Sequence, residues 1–468
     1  MTSPDLLSRI MIGLACYLTF VALVYGKSSF SDFRKPLLLL LFCASACMAS
    51  LVSTWFGFVI WVELSSLCLA ALVAFSDTGT AKIYFYSQLA GGALLLLGAA
   101  AISTPGIPAP LGPVSGTWYP LFLLALGFKA AFPGLHFWLP PTHSRASSEV
   151  SLLLSGYAVK MGIYGLLRLV DKPSPGLLWI GIAMALYGVF QALMQHDTKR
   201  LLACHTMSQL GFMVTALATG TPEGRYAALF YLVAHALFKG LLFLVAGSLE
   251  KLYGTRDLNR LGNIAIKEPL LCAFFLLGAA AIAGFPGTAG YAGKTLVKSS
   301  LTFHTAALWS LQLAGLGTVL YLSKFGGYAF FEGLRKDSEE IPKKKNSLPL
   351  SSLGAMGLVA CPLLLLGGTR KSLSFFFGNL PLPDFWSPYS LGTALLPVAA
   401  GLALFSFFPK LFFPRQRRFP DVEDLLPSGR KTLLPPLEAL RKFHLGKIRM
   451  YFFLYFFVVF FALALFSL

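Results

Sequence analysis

Acidic side chains are scarce in this sequence: Asp and Glu together number 20 against 38 Lys and Arg, and charged residues make up only 12% of the chain. A soluble domain carries about 25%, so that class is excluded. Cysteine is sparse too. The seven (Cys16, Cys43, Cys47, Cys68, Cys204, Cys272 and Cys361) all fall in apolar stretches. Only Cys43 and Cys47, one helical turn apart, have a spacing a metal could use. Small buried apolar residues are the reading the thiols support, and no metal is expected. Haem, iron–sulfur, flavin and nucleotide motifs are missing, so no cofactor and no redox or hydrolytic centre is expected. No acceptable cleavage site follows Arg9 and the first apolar run, which is read as a permanent span.

What is present is apolar length. Hydrophobic residues make up 56% of the chain and the mean hydropathy is +0.70. Runs of about 20 apolar residues cross a hydrocarbon core. They fall near 6–26, 36–54, 56–76, 82–102, 117–138, 149–170, 175–195, 198–218, 225–248, 268–302 (broken), 306–331, 347–368, 390–410 and 448–467. The fold class is therefore an all-α polytopic membrane protein with about 14 transmembrane helices. The net charge of +18 sits in alternate loops: Lys27, Arg34 and Lys35; Lys199 and Arg200; Lys251, Arg256 and Arg260; Arg335, Lys336 and Lys343 to Lys345; Arg415 to Lys447. The intervening loop Ser103–Gly116 carries no charge. This is the positive-inside pattern, with both termini outside the cytoplasm. It argues for a lipid bilayer and against nucleic acid as partner.

Against this background a lysine within a span is informative, because it costs about 3 kcal/mol at the bilayer centre even on insertion scales. Lys129 lies in Leu126-Gly-Phe-Lys129-Ala-Ala-Phe-Pro133-Gly134, beside a helix break; Lys294 follows a second break, Gly284-Phe-Pro286-Gly287. Breaking a helix frees backbone groups that water, ions or polar side chains must meet. Glu63 is mid-span with nothing local to neutralise it, so it faces the bundle interior. Lys129, two spans away, is its natural partner. Burial disfavours the charged form of each, so small changes can switch the pair's proton occupancy. A salt bridge that only fixes packing is the bland alternative.

Lys160 lies mid-span, too deep for easy snorkelling. His235 and Lys239 are spaced i, i+4 and share one helix face. Two stacked cations repel, which favours a neutral His beside a charged Lys or the reverse, and a histidine suits a proton relay. Tyr164, His205, Ser208 and Gln209 are candidates for holding water between these sites, or for ordinary interhelical hydrogen bonds. Glu63, Lys129, Lys160, His235, Lys239 and Lys294 thus form a predicted proton pathway along the membrane plane.

The two Phe-Pro-Gly breaks each fall in the fourth span of a five-span set, and an odd number of spans inverts the second copy. The expected organisation is an N-terminal span and loop (1–35), a first repeat (36–170), a second, inverted repeat (175–331) and a C-terminal extension (332–468). In the extension, Leu433–Lys447 reads as an amphipathic surface helix or a solvated loop.

The stretch His136-Phe-Trp-Leu-Pro140-Pro-Thr-His143-Ser144 resembles the His-x-Trp-Leu-Pro-Asp-Ala-His motif of the proton-conducting, antiporter-like subunits of respiratory complex I, multi-subunit sodium/proton antiporters and membrane-bound hydrogenases. Val150–Arg168, Asp197-Thr-Lys-Arg-Leu-Leu-Ala203, Ala234-His235-Ala-Leu-Phe-Lys-Gly-Leu-Leu-Phe and Gly284–Lys294 are similar in spacing, so the resemblance covers roughly 36–331. It implies two inverted five-helix repeats, each a half-channel. Glu63 and Lys129 would form the first pair, Lys160 the bridge, and His235, Lys239 and Lys294 the second half. Three departures stand out: Pro141 replaces the motif's Asp, Tyr231 occupies a place where some members carry His, and Glu63 comes early, as if the first two core helices were absent.

The resemblance implies a proton-translocating membrane subunit of a redox-driven complex (NADH/quinone oxidoreductase-like or hydrogenase-like), or alternatively one component of a multi-subunit sodium/proton antiporter. The implied partners are other membrane subunits, with protons or sodium as the ion, in the inner (cell) membrane of a prokaryote. An idle scaffold is disfavoured by six buried ionisable groups.

Overall fold

The computed structural model describes residues 4–331, 347–367 and 382–412. The predicted basic loop beyond Phe331, the segment Leu433–Lys447 and the span 448–467 lie outside them. Among the described residues, nine helices are long and apolar enough to cross a bilayer, and two shorter ones, Pro269–Ala283 and Leu350–Leu365, are apolar as well.

In chain order the helices are α1 (Leu6–Gly26), α2 (Arg34–Leu51), α3 (Trp55–Ala74), α4 (Thr78–Ile102), α5 (Tyr119–Lys129), α6 (Leu139–Arg145), α7 (Ser148–Leu153), α8 (Val159–Leu169), α9 (Pro175–Met194), α10 (Thr198–Leu217), α11 (Pro222–Tyr253), α12 (Ile264–Lys267), α13 (Pro269–Ala283), α14 (Ala289–Ser299), α15 (Thr305–Ala329), α16 (Leu350–Leu365) and α17 (Pro388–Phe407). Each predicted span within the described residues is met by a helix or a broken pair. α10 is long enough to span, yet Lys199, Arg200, His205, Ser208 and Gln209 make it too polar to face lipid, and every residue of it is buried.

Local chemistry sets the starts. Asp5, Thr54, Asp77, Asp197, Thr221 and Thr288 each accept a hydrogen bond from a backbone N–H in the first turn. Those donors would otherwise be orphaned. Both predicted breaks are present. α5 stops at Lys129, and the chain passes Ala131 (φ 56°) and Gly134 (φ 83°) before α6; α13 stops at Gly284 (φ 89°), and Gly287 (φ 85°) precedes α14. A third irregularity, with no proline or positive-φ glycine to mark it in the sequence, is a π turn over Leu154–Ala158 that separates α7 from α8.

The 32-residue α11 is the central post, buried along its spanning length and packed on α7, α10, α13, α14 and α16. α9 and α10 touch backbone to backbone. A Cβ on Gly188 would lie 2.4 Å from the Ser208 nitrogen, and one on Gly211 would lie 2.5 Å from that of Ala185. Small residues permit this approach where lipid gives helices no hydrophobic reason to associate. α2, α4 and α17 turn Leu40, Leu97 and Leu396 outward. The cysteines do not all behave as buried apolar residues: Cys68, Cys204 and Cys272 are buried, whereas Cys16 and Cys361 are exposed.

Candidate functional site: a row of buried acids and bases

The first pair forms as the sequence predicts. Glu63 (4% exposed) projects from α3 and Lys129 (1%) from the last turn of α5, with Nζ 2.5 Å from Oε1. Gly92 of α4 makes room: a Cβ there would lie 2.4 Å from the Glu63 carboxyl carbon. Because α5 ends at Lys129, the helix terminus itself carries the cation, and a cation is favoured at a helix C-terminus.

The break then meets α8. A Cβ on Gly162 would lie 2.5 Å from the Ala130 nitrogen, so the residue after Lys129 sits against the turn of α8 that begins with Lys160. Lys160 is fully buried and donates to the carbonyl of Ser155, a group in the π turn, while its Nζ lies 2.5 Å from Nδ1 of His235. A charged lysine has donors only. With Lys160 charged, Nδ1 is the acceptor and the ring proton sits on Nε2. That Nε2 is buried with no hydrogen-bond partner among the described residues. Buried polar atoms are nearly always satisfied, commonly by water.

Lys239, one turn beyond His235, does not pair with it. Its Nζ donates to the Leu202 carbonyl at 2.7 Å and lies 5.8 Å from the Tyr321 ring centroid. The stacking expected within α11 is thus replaced by two cross-helix contacts, His235 to α8 and Lys239 to α10. His205 of α10 continues the row: its Nε2 is 2.9 Å from Thr318 Oγ1 and 3.2 Å from the Gln209 amide nitrogen. Tyr231 donates to the other end of that amide. Lys294, on α14 after the second break, donates to the Ala283 carbonyl at 3.3 Å and lies over the Phe212 ring. A Cβ on Gly284 would touch its side chain.

Two of the predicted water-holding residues are committed elsewhere. The Tyr164 hydroxyl turns away from Lys160 to Arg168 (3.0 Å), Ser50 and Ser8. Ser208 donates to the Ala185 carbonyl across the α9–α10 contact. Other buried groups join these. Lys324 of α15 donates to the carbonyls of Leu193 and Gln195 at 2.7 and 2.8 Å. Lys199 pairs with Glu250 at 2.8 Å, and Arg256 ties Asp197 (3.0 Å) to the same glutamate (3.4 Å), which links the start of α10 to the end of α11. His143, fully buried, stacks on Phe243 with neither ring nitrogen partnered among the described residues, within electrostatic reach of Lys239, Lys160 and Lys199. Thr318 and Tyr321 carry no sequence signal beyond a polar residue in an apolar run.

At the periphery, Arg168 grips Asp5 with two hydrogen bonds, 2.5 and 2.8 Å. Burial pushes the Asp5 carboxyl up, but Arg168 and the Ser8 amide outweigh it and lower it to about 2. This clamp fixes the start of α1 to the end of α8.

Broken helices whose loose ends meet buried lysines, with carboxylate, imidazole and hydroxyl partners strung between them, define an integral multi-pass membrane protein with an internal acid–base row. Comparison with known proteins supports the multi-pass membrane class. Residues 113–320 match the model of the transmembrane family described as NADH:quinone oxidoreductase/Mrp antiporter. It is similar to Hydrogenase-4 component B of Escherichia coli (strain K12), 31% identical over 366 residues, covering 69% of this chain and 54% of that one. It is also similar to one of the Na(+)/H(+) antiporter subunits of Alkalihalophilus pseudofirmus, 31% identical over 253 residues and 51% of each. A chain in the structure of the Mrp complex from Dietzia sp. shares the fold, with a TM-score of 0.79 at 22% identity over 99% of this chain and 55% of that one. The chain spans about half the length of the curated relatives it matches.

Proposed function

We propose that this chain is a proton-translocating membrane subunit of a redox-driven complex, seated beside other membrane subunits in the inner (cell) membrane of a prokaryote. Residues 36–170 and 175–331 are read as two inverted halves, each with its break. The contact of Lys160 with His235 carries the reading: it places a donor on an acceptor across two helices, away from lipid. A proton on Lys160 Nζ can pass to Nδ1 while the Nε2 proton leaves to water, which turns the imidazole into a relay. The Glu63–Lys129 pair supports it as a charge switch. With its carboxylate protonated, Lys129 loses its counter-ion and the row beyond Ala130 feels a changed field. Electrons stay with partner subunits, since the sequence holds no redox motif.

In the intact complex reconstituted into vesicles, Lys129→Ala is expected to abolish acidification driven by the electron donor while the chain still co-purifies with its partners. Wild-type pumping by that variant would overturn the reading. The antiporter likeness supports a second reading, exchange of sodium for protons without a redox partner. Subunits that co-purify after mild extraction distinguish the two: hydrogenase or quinone-reductase subunits favour the first, and small antiporter subunits the second.

A further inference from the structure

We propose that Cys16, Cys43 and Cys47 form a binding site for a thiophilic monovalent metal ion, cuprous copper by its chemistry, between α1 and α2. Cys43 and Cys47, one turn apart, share a face of α2, and Cys16 of α1 lies against both. Its Sγ is 3.7 Å from that of Cys47 and 3.9 Å from that of Cys43, and all three sulfurs lie within 4.8 Å of one another. Three sulfurs around an ion at metal–sulfur distances of about 2.3 Å stand roughly 4 Å apart. The side chains are therefore already at ligand separation, with no strand or helix to move.

Thr19 gives an independent sign. It lies one turn from Cys16 on the same face of α1, is 2% exposed, and its hydroxyl is directed at the Cys43 thiol. A thiol sulfur is only a weak acceptor. A thiolate at Cys43 would accept that hydrogen bond more strongly.

Charge selects the ion. Cys16 is near the middle of a 21-residue spanning helix, roughly 15 Å from either end. A net charge there is expensive. A monovalent ion that displaces one thiol proton, and is held by one thiolate and two neutral thiols, leaves the site uncharged. A divalent ion needs two thiolates for neutrality and, in the case of zinc, a fourth ligand. No fourth Cys, His, Asp or Glu joins this group among the described residues. Soft sulfur ligands favour cuprous copper among the common biological metals. Binding is proton-for-metal exchange: one metal–thiolate bond and two metal–thiol contacts form, one S–H bond breaks, and no electron moves.

The test uses the full-length protein in detergent, reduced and anaerobic, titrated with cuprous ion against a chromophoric cuprous chelator. One ion per chain is expected. Single Cys16→Ala, Cys43→Ala and Cys47→Ala variants should each weaken binding at least tenfold, Thr19→Val several-fold, and Cys361→Ala, which removes an exposed thiol elsewhere, not at all. Unchanged binding in the triple-alanine variant, or no ion retained against the chelator by the wild type, overturns the proposal. So does a Cys16–Cys47 disulfide recovered from protein kept anaerobic and reduced. Should a variant fail to fold, X-ray absorption on the copper-loaded wild type decides: three sulfur neighbours at about 2.3 Å support the site, and two or fewer overturn it.

Discussion

Gly92 is the lever by which the Glu63–Lys129 pair can be disturbed without removing either charge. An added methyl would stand 2.4 Å from the Glu63 Cδ and Oε1, where ordinary contact begins at 3.4 Å. The carboxylate must therefore retreat by roughly 1 Å. If the retreat carries it away from Lys129, a separation of 2.5 Å becomes about 3.5 Å. At an effective dielectric of about 20 the attraction falls from about 7 to about 5 kcal/mol, a loss of about 2 kcal/mol. Two further effects accompany the substitution: alanine favours a helix over glycine by about 0.5–1 kcal/mol, and the methyl adds local crowding. Both cancel in a double-mutant cycle with Glu63→Gln, since the amide has the shape of the acid and lacks its charge. Unfolding free energies of the four proteins, from denaturant titration in detergent, should show Gly92→Ala costing about 2 kcal/mol more beside Glu63 than beside the glutamine. Equal costs in the two backgrounds would mean that the carboxylate slides without losing its partner, and the reasoning fails.

Ala131 holds a left-handed conformation (φ 56°) in the first break, which costs a non-glycine residue about 1–2 kcal/mol. Ala131→Gly should therefore raise stability by about 0.5–1 kcal/mol, after the glycine's greater freedom in the unfolded chain is subtracted; a lower thermal midpoint would refute this. Gly162→Val puts side-chain atoms onto the Ala130 backbone and should destabilise by about 1–3 kcal/mol, read by the same titration. The Asp5 carboxyl is lowered to about 2 in the folded chain against about 3.9 unfolded. Because the folded value is the depressed one, the clamp's contribution is complete above about pH 4 and is lost as the pH falls towards 2. Wild type and Asp5→Asn should therefore converge in stability across that window and differ by a constant amount above it.

The parts of this site legible in the sequence were those where one residue type is costly in its surroundings. Glu63 and Lys129 announce themselves as charges in apolar runs, and the two Phe-Pro-Gly breaks announce the loose ends beside them. Partnership was harder to read. The spacing of His235 and Lys239 places them on one face, but which neighbour each meets depends on how α8 and α10 are rotated, and no local pattern encodes that. Lys199 and Lys324 sit near span ends, where a lysine ordinarily reaches water and attracts no notice; the structure instead ties them to Glu250 and to the carbonyls of Leu193 and Gln195. Tyr164 lies near Lys160 along the chain, yet its hydroxyl reaches one turn onward to Arg168. Cys16 and its two neighbours on α2 come from separate spans, and only their packing brings the sulfurs together.

The wide turn over Leu154–Ala158 holds one residue more than a regular helix would need. Each residue advances a helix by about 100°, so this surplus sets the azimuth of everything after it relative to α7. Excise one residue from that turn and the ladder can close into a continuous α-helix, but the Lys160 ammonium then swings by about 100°, away from the imidazole it now touches. A chain shortened there by one leucine keeps every titratable group and still loses the contact between Lys160 and His235.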